Sequence, residues 1–318
     1  MYTINGGGER NAIDLSKEYS PTKNSKRFLE AEEPDKAVIE HFLKSKLLFL
    51  ETESALAKYK VRRDVSYGKS FKSNKNSTVD NRIVDIYYKD TENGTPIFVY
   101  IHGGYWQELD RSTSGSFVEP LVEQDFRVIA VDYNLCPSVS LATLNEQFKH
   151  FFEWLYAYAS DTKASKISIS GHSAGAYMMT LLFNNSLLRL PFVDNTVSFF
   201  LISGVFDLRE LWNLPSVNPA NILNLDLVSA EELSPICWKL DEEFIELAKQ
   251  IQIRIHVLVA ENDSETFKGQ SLAFTKKLRE TGLEIEFKLF EGYDHFDIIE
   301  NVPVKGSEIN TYLLKHLV

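Results

Sequence analysis

Hydrophobic positions along this chain follow two periods, and the switches between them mark where elements begin. From Asp35 to Tyr59 apolar residues recur at helical spacing, which predicts an amphipathic helix or a pair of them. At Arg82 the texture changes. Arg82–Tyr88 alternates, while Pro96–His102 is almost continuously apolar across the turn-like Thr91–Thr95, predicting an edge hairpin that leads into a buried central strand. Strand-like Arg127–Asp132 is followed by the aromatic-rich, helix-like Leu141–Tyr158. Strand-like Lys166–Ser170 precedes helix-like Ala174–Phe183, and Val197–Ser203 is again a strand. Two further strands, Ile253–Ala260 and Glu284–Phe290, flank a helix over Glu265–Glu280, and Glu308–Leu317 predicts a closing helix.

Such alternation over roughly 230 residues predicts an α/β protein with a mostly parallel sheet covered by helices on both faces. Two stretches stand outside the rhythm. Residues 1–35 are polar and weakly periodic, an N-terminal arm that is either mobile or laid on the surface. Residues 206–240, with Pro215, Pro219 and Pro235, predict a small cap-like insertion above the sheet. The whole chain, 1–318, reads as one domain with these two additions.

Composition narrows the function classes. A formal charge of −11 leaves no cationic excess for nucleic acid. No apolar run approaches the roughly 20 residues of a membrane helix, and the N-terminus lacks a signal-peptide profile. Only Cys136 and Cys237 are present. Two cysteines make no disulfide framework, so a reducing, cytoplasmic setting and buried packing roles are expected. No spacing calls for a metal or a cofactor. Oligomeric state is open, a homodimer included.

The chemistry centres on Gly171-His172-Ser173-Ala174-Gly175, placed between a strand and a helix. G-x-S-x-G in that context is a nucleophile elbow: the serine occupies a strained turn, and its hydroxyl stands exposed at a helix N-terminus. A serine needs a base, and the base needs an orienting acid; behind such an elbow they follow in the order Asp or Glu, then His. Of seven histidines, His295 alone lies on a loop after the last strand, beside Gly292. The acid belongs after the strand ending at Ala260, where Asp263 is the choice and Glu261 the fallback. Asp294 and Asp297, flanking the histidine, are expected to cap its loop.

A second signal is His102-Gly103-Gly104-Tyr105-Trp106 after the central strand. Acyl transfer builds negative charge on a carbonyl oxygen, and glycines let backbone N–H groups approach it. The N–H groups of Gly104, Tyr105 and Ala174 are assigned to this oxyanion hole, with His102 bracing the loop.

His-Gly-Gly-Tyr-Trp, Gly-His-Ser-Ala-Gly-Ala-Tyr, Ser203-Gly-Val-Phe-Asp-Leu and Glu261-Asn-Asp-Ser-Glu-Thr-Phe together resemble the kynurenine formamidase (arylformamidase) family, a branch of the α/β-hydrolases near the hormone-sensitive-lipase group. The likeness runs from about Tyr19 to the end of the chain. It implies the α/β-hydrolase fold and hydrolysis of a small molecule, N-formyl-L-kynurenine, to L-kynurenine and formate. Ser173, Asp263 and His295 would stand in the triad positions. One departure from the broader esterase group is Tyr105, where a third glycine or alanine is usual. Tyr105 or Trp106 is therefore expected to narrow the acyl pocket to a formyl group and to stack on the aryl amine. Two competing readings are a general carboxylesterase of the same fold and a non-catalytic binding protein on a hydrolase scaffold.

Overall fold

The computed structural model describes residues 13–50, 58–68, 80–184 and 196–317. An eight-stranded sheet runs through them: β1 (Lys60–Ser66), β2 (Ile83–Tyr88), β3 (Ile97–Ile101), β4 (Arg127–Val131), β5 (Ile167–His172), β6 (Thr196–Ile202), β7 (Arg254–Ala260) and β8 (Ile285–Phe290). Their spatial order is β1-β2-β4-β3-β5-β6-β7-β8. β1 and β2 pair antiparallel, as do β2 and β4; every later pairing is parallel.

Side-chain alternation divides the core into two layers. Ile97, Val99 and Ile101 of β3 face one cluster, Phe98 and Tyr100 the other. The first layer is covered by α3 (Leu141–Asp161), α4 (Ala174–Thr180), α5 (Glu242–Gln250) and α6 (Glu265–Arg279). The second is covered by α1 (Pro34–Leu50), α2 (Gly115–Val122) and α7 (Glu308–His316). Serines cap several of these helices. Ser140, Ser264 and Ser307 each accept an N–H from the first turn, satisfying a donor that the helix itself leaves open.

The architecture corrects the predicted hairpin. β2 and β3 are not neighbours, because β4 lies between them, antiparallel to one and parallel to the other. β3 is buried along its entire length, so it takes parallel partners on both sides, and the chain crosses through α2 before β4 fills the gap. Strand β1 has no hydrophobic signature: Arg62, Arg63 and Asp64 are exposed, as suits a charged sheet edge that resists further pairing. The long N-terminal helix is described to Leu50; its predicted continuation over 51–57 lies outside the described residues.

The arm is laid on the surface where it is described. Glu18 Oε2 accepts the Thr266 N–H at the start of α6 (2.8 Å), and Tyr19 Oη accepts from Gln270 Nε2 (2.9 Å). The insertion is not a detached lid, since Leu208, Leu211, Leu223 and Ala230 are buried in the first core layer. Cys136 is buried as expected, but Cys237 is exposed at the insertion's surface, correcting its packing role.

Candidate active site

In a parallel sheet every strand delivers its C-terminal end to the same edge. The loops after β3, β5, β6, β7 and β8 therefore converge, carrying His102–Trp106, Ser173, Ser203, Asp263 and His295. The elbow is tight. Ser173 has φ 56° and ψ −119°, and its carbonyl already accepts the N–H groups of Ala176 (3.0 Å) and Tyr177 (3.3 Å) as the helix begins. A Cβ on Gly175 would collide with the Ile101 carbonyl, and one on Gly171 with the Gly175 carbonyl. The two glycines let α4 press against β3 and β5, and that contact forces the sharp reversal at Ser173.

His295 is held on both sides. Its Nδ1 lies 2.7 Å from Asp263 Oδ1, and its carbonyl is 2.8 Å from His172 Nε2, beside a His172–His295 ring separation of 4.6 Å. The base loop is thus docked on the residue preceding Ser173. Nε2 of His295 and Oγ of Ser173 have no hydrogen-bond partner among the described residues. Asp263 is buried and accepts from three donors: His295 Nδ1, Ser203 Oγ at 2.6 Å and the Ala260 N–H at 3.0 Å. A buried carboxylate so surrounded has its oxygens hydrogen-bonded without water.

Glu261, the fallback acid, is exposed and accepts the Gly292 N–H (2.7 Å), pinning the turn that carries the histidine. Asp294 Oδ1 accepts the N–H groups of Phe296 and Asp297, both at 2.8 Å, and Asp297 Oδ1 accepts that of Asp294 at 2.6 Å. These two carboxylates cap the loop. Asp294 also binds the arm, through Ser25 Oγ (2.5 Å) and Arg27 Nε (2.8 Å).

The His102–Trp106 loop is shaped to present N–H groups. Gly104 sits at φ 96°, and a Cβ there would strike the Glu108 carbonyl; Tyr105 and Trp106 follow at φ 48° and 61°. The Gly104, Tyr105 and Ala174 N–H groups have no acceptor among the described residues. His102 is buried and stacks on Tyr133 at 4.2 Å. Its Nδ1 lies 2.8 Å from the Gly103 carbonyl and its Nε2 3.4 Å from Asp132, which Arg111 holds in turn (2.9 Å). Tyr133 Oη donates to the His102 and Gly103 carbonyls. The His102 and Gly103 carbonyls are therefore occupied, while the Gly104 and Tyr105 N–H groups have no acceptor among the described residues.

The two aromatics of the loop differ in burial. Trp106 is 0 % exposed and packs edge-on against Tyr177 at 4.9 Å, with Cys136 N–H bonded to its carbonyl. A side chain without accessible surface touches no substrate, so its expected pocket role is corrected to bracing the loop. Tyr105 is half-buried, and its hydroxyl donates to the Tyr19 carbonyl (2.8 Å). Gln107 Nε2 donates to the Val217 carbonyl (2.8 Å), tying the loop to the insertion. Sequence reasoning missed Ser203 and the Asp132–Arg111 pair. Ser203 directly follows β6, one strand from Asp263, and that position was the available signal. Asp132 and Arg111 belong to different loops and carry no such mark. Arg209 is likewise engaged, by Asp207 at 2.9 and 2.6 Å.

Strand order, elbow and an Asp–His pair after the last two strands define an α/β-hydrolase. A hyperthermophilic esterase from Pyrobaculum calidifontis has the same fold, with a TM-score of 0.60 and 17% identity over 89% of this chain and 92% of that one. Residues 84–205 match the family described as BD-FAE. Kynurenine formamidase of Drosophila melanogaster is 38% identical over 309 residues, 94% of this chain and 96% of that protein. The Danio rerio kynurenine formamidase is 28% identical over 305 residues, 95% of each chain. The chain belongs to the kynurenine formamidase family. Among the described residues no helix is long and apolar enough to cross a membrane.

Proposed function

We propose that the protein hydrolyses the formamide of N-formyl-L-kynurenine, releasing L-kynurenine and formate, through a Ser173–His295–Asp263 triad. The end-to-end likeness to a kynurenine formamidase at 38% identity carries the reading, and the buried Asp263–His295 pair supplies its chemistry. Asp263 fixes the tautomer with the proton on Nδ1, leaving Nε2 as the base. Ser173 Oγ attacks the formyl carbon while Nε2 takes its proton. Negative charge gathers on the formyl oxygen, where the Gly104, Tyr105 and Ala174 N–H groups receive it; one such donor is worth about 3 kcal/mol. The imidazolium gives its proton to the aniline nitrogen as the C–N bond breaks and L-kynurenine leaves. Water, deprotonated by His295, then attacks the formyl ester, and formate departs as Ser173 regains its proton.

Tyr105 is the wall we assign to the acyl side, admitting hydrogen where an ester pocket admits an alkyl chain. The arm borders it through the Tyr19 carbonyl, and Gln107 two residues on holds the insertion at Val217. A cytoplasmic setting accords with two cysteines in no disulfide, and the net charge of −11 accords with a small-molecule partner rather than nucleic acid.

Steady-state turnover of N-formylkynurenine, beside formyl and butyryl esters of one phenol, tests the reading. Wild type should prefer the formamide and the formyl ester, and Ser173→Ala should lose at least about a thousand-fold in kcat. Equal turnover by the variant removes Ser173 from the mechanism. Butyryl ester hydrolysed as well as formyl ester removes the acyl wall and favours a general carboxylesterase.

A further inference from the structure

At the opposite end of the sheet from the active site, three metal-ligating side chains meet where the sequence gives no motif. Parallel register sets His256 of β7 beside Glu286 of β8, and the last turn of α7 brings His316 over them. Glu286 Oε2 lies 3.4 Å from His256 Nδ1 and 3.9 Å from His316 Nε2, and the three donor atoms all fall within 4.8 Å of one another. Atoms so spaced can be reached from one point at about 2.4 Å or less, against zinc–ligand distances of about 2.0–2.2 Å. A shift of a few tenths of an ångström closes the difference.

The surroundings suit an ion. His316 Nε2 is buried and has no hydrogen-bond partner among the described residues, a lone pair or N–H left unsatisfied beside a carboxylate. The His256 ring is fixed by stacking on Phe200 (4.8 Å) and by the Tyr312 hydroxyl 2.8 Å from Nδ1. Tyr312 also hydrogen-bonds Glu286, so it has a second acceptor when a cation takes Nδ1. Glu286 is 46% exposed and opens the cluster to solvent, while His256 is 2% exposed. Burial holds both imidazoles below their usual range, His256 down to about 4, so both are neutral and ligand-competent at neutral pH. Arg254 and Lys315 also face the imidazoles. With one carboxylate against those cations, the site suits a moderate affinity.

We infer that His256, Glu286 and His316 form a site for a single divalent transition ion of the zinc type, bound with water in the remaining positions. Two imidazoles and one carboxylate are the donor set of such ions and not of magnesium or calcium. Its effect is structural: the ion links β7, β8 and α7 and so fastens the last helix to the sheet. The site lies away from Ser173 and does not depend on the formamidase reading.

Purified full-length protein, stripped with chelator, is titrated with zinc by calorimetry and followed by thermal unfolding. One equivalent should bind and raise Tm with zinc concentration, while magnesium does neither. His316→Ala and Glu286→Gln, both at partly exposed positions, should each weaken binding by roughly ten-fold or more and abolish the rise in Tm. Unchanged circular dichroism and N-formylkynurenine turnover in the zinc-free variants would confirm that the fold stands. No binding by wild type, or undiminished binding by both variants, overturns the site; binding lost only in His295→Ala assigns the ion to the active site instead.

Discussion

At the scale of single residues, the acid of the site is set by what surrounds it rather than by its own position in the chain. Asp263 and Glu261 are two residues apart in one loop, yet Asp263 reaches the imidazole and Glu261 turns outward to the Gly292 N–H. Ser203 makes the difference useful. Its hydroxyl holds Asp263 Oδ2 at 2.6 Å from a backbone at φ 46°, so the carboxylate keeps Oδ1 on the histidine. Ser203→Ala leaves the Ala260 N–H as the remaining brace, and a hydrogen bond to a charged group is worth about 1.5–3 kcal/mol. We expect kcat to fall roughly ten-fold or more with KM little changed, and the pH–rate profile to move as the imidazolium loses support. Ser203→Thr, which keeps the hydroxyl, should recover most of the rate. A fall in KM-related binding alone would mean that Ser203 only packs. Gly104 and Gly175 were legible as glycines needed for close approach, and the carbonyls of Glu108 and Ile101 are what they approach. Trp106 was not legible, because an aromatic after a glycine pair reads the same whether it faces a ligand or the core.

Among the elements, the loop between β8 and α7 couples its stability to pH through two carboxylates. Burial, and then the charge of Asp294, push Asp297 up to about 7, while the Ser25 hydroxyl, neighbouring N–H groups and Arg27 draw Asp294 below the usual carboxylate range despite its burial. The signs are opposite. Asp294 contributes stability above the ordinary carboxylate pKa and loses it as pH falls. Asp297 keeps a proton in the folded state that the unfolded chain gives up, so its contribution falls as pH rises from about 4 through 7. Asp297→Asn retains the oxygen that accepts the Asp294 N–H and cannot ionise. Its Tm should exceed that of wild type at pH 8 and converge with it near pH 4; a constant gap would assign the effect to packing. Helices and strands with clear periods were found in the sequence within a few residues. β1 and α2 were not, since a charged edge strand and a helix containing Gly115 and Pro120 break the rules that periodicity relies on; α5 was missed although its buried Ile245 and Ala248 lie on one helical face.

Over the whole molecule, the sheet separates two clusters, with the proposed hydrolytic groups at the C-terminal ends of its parallel strands and His256 near the opposite ends. Burial holds His256 down to about 4. Between pH 6.5 and 4 the unfolded chain takes up a proton there that the folded protein refuses, so this residue lowers stability progressively across that window and adds no further loss below it. Metal-free His256→Gln should therefore lose Tm less steeply than metal-free wild type between pH 6.5 and 4.5, as scanning calorimetry would register. Equal slopes would mean that His256 protonates in the folded state.

By itself the sequence determined the strand–turn–helix at Gly171–Gly175, the glycine-rich loop and the mostly parallel α/β layering, because each is local: a spacing, a turn requirement or a period within one element; the proposed roles of Ser173, Asp263 and His295 were read from their order along the chain. Tertiary structure decided that β4 separates β2 from β3, that Ser203 holds Asp263 and Arg111–Asp132 braces His102, that Trp106 is fully buried while Tyr105 keeps some exposure, and that the arm ties Tyr19 to Tyr105 and Ser25 and Arg27 to Asp294. Those contacts join residues tens to hundreds of positions apart. Which of several chemically equivalent partners meet is settled by the packing of the sheet and its helices, and no single segment carries that information.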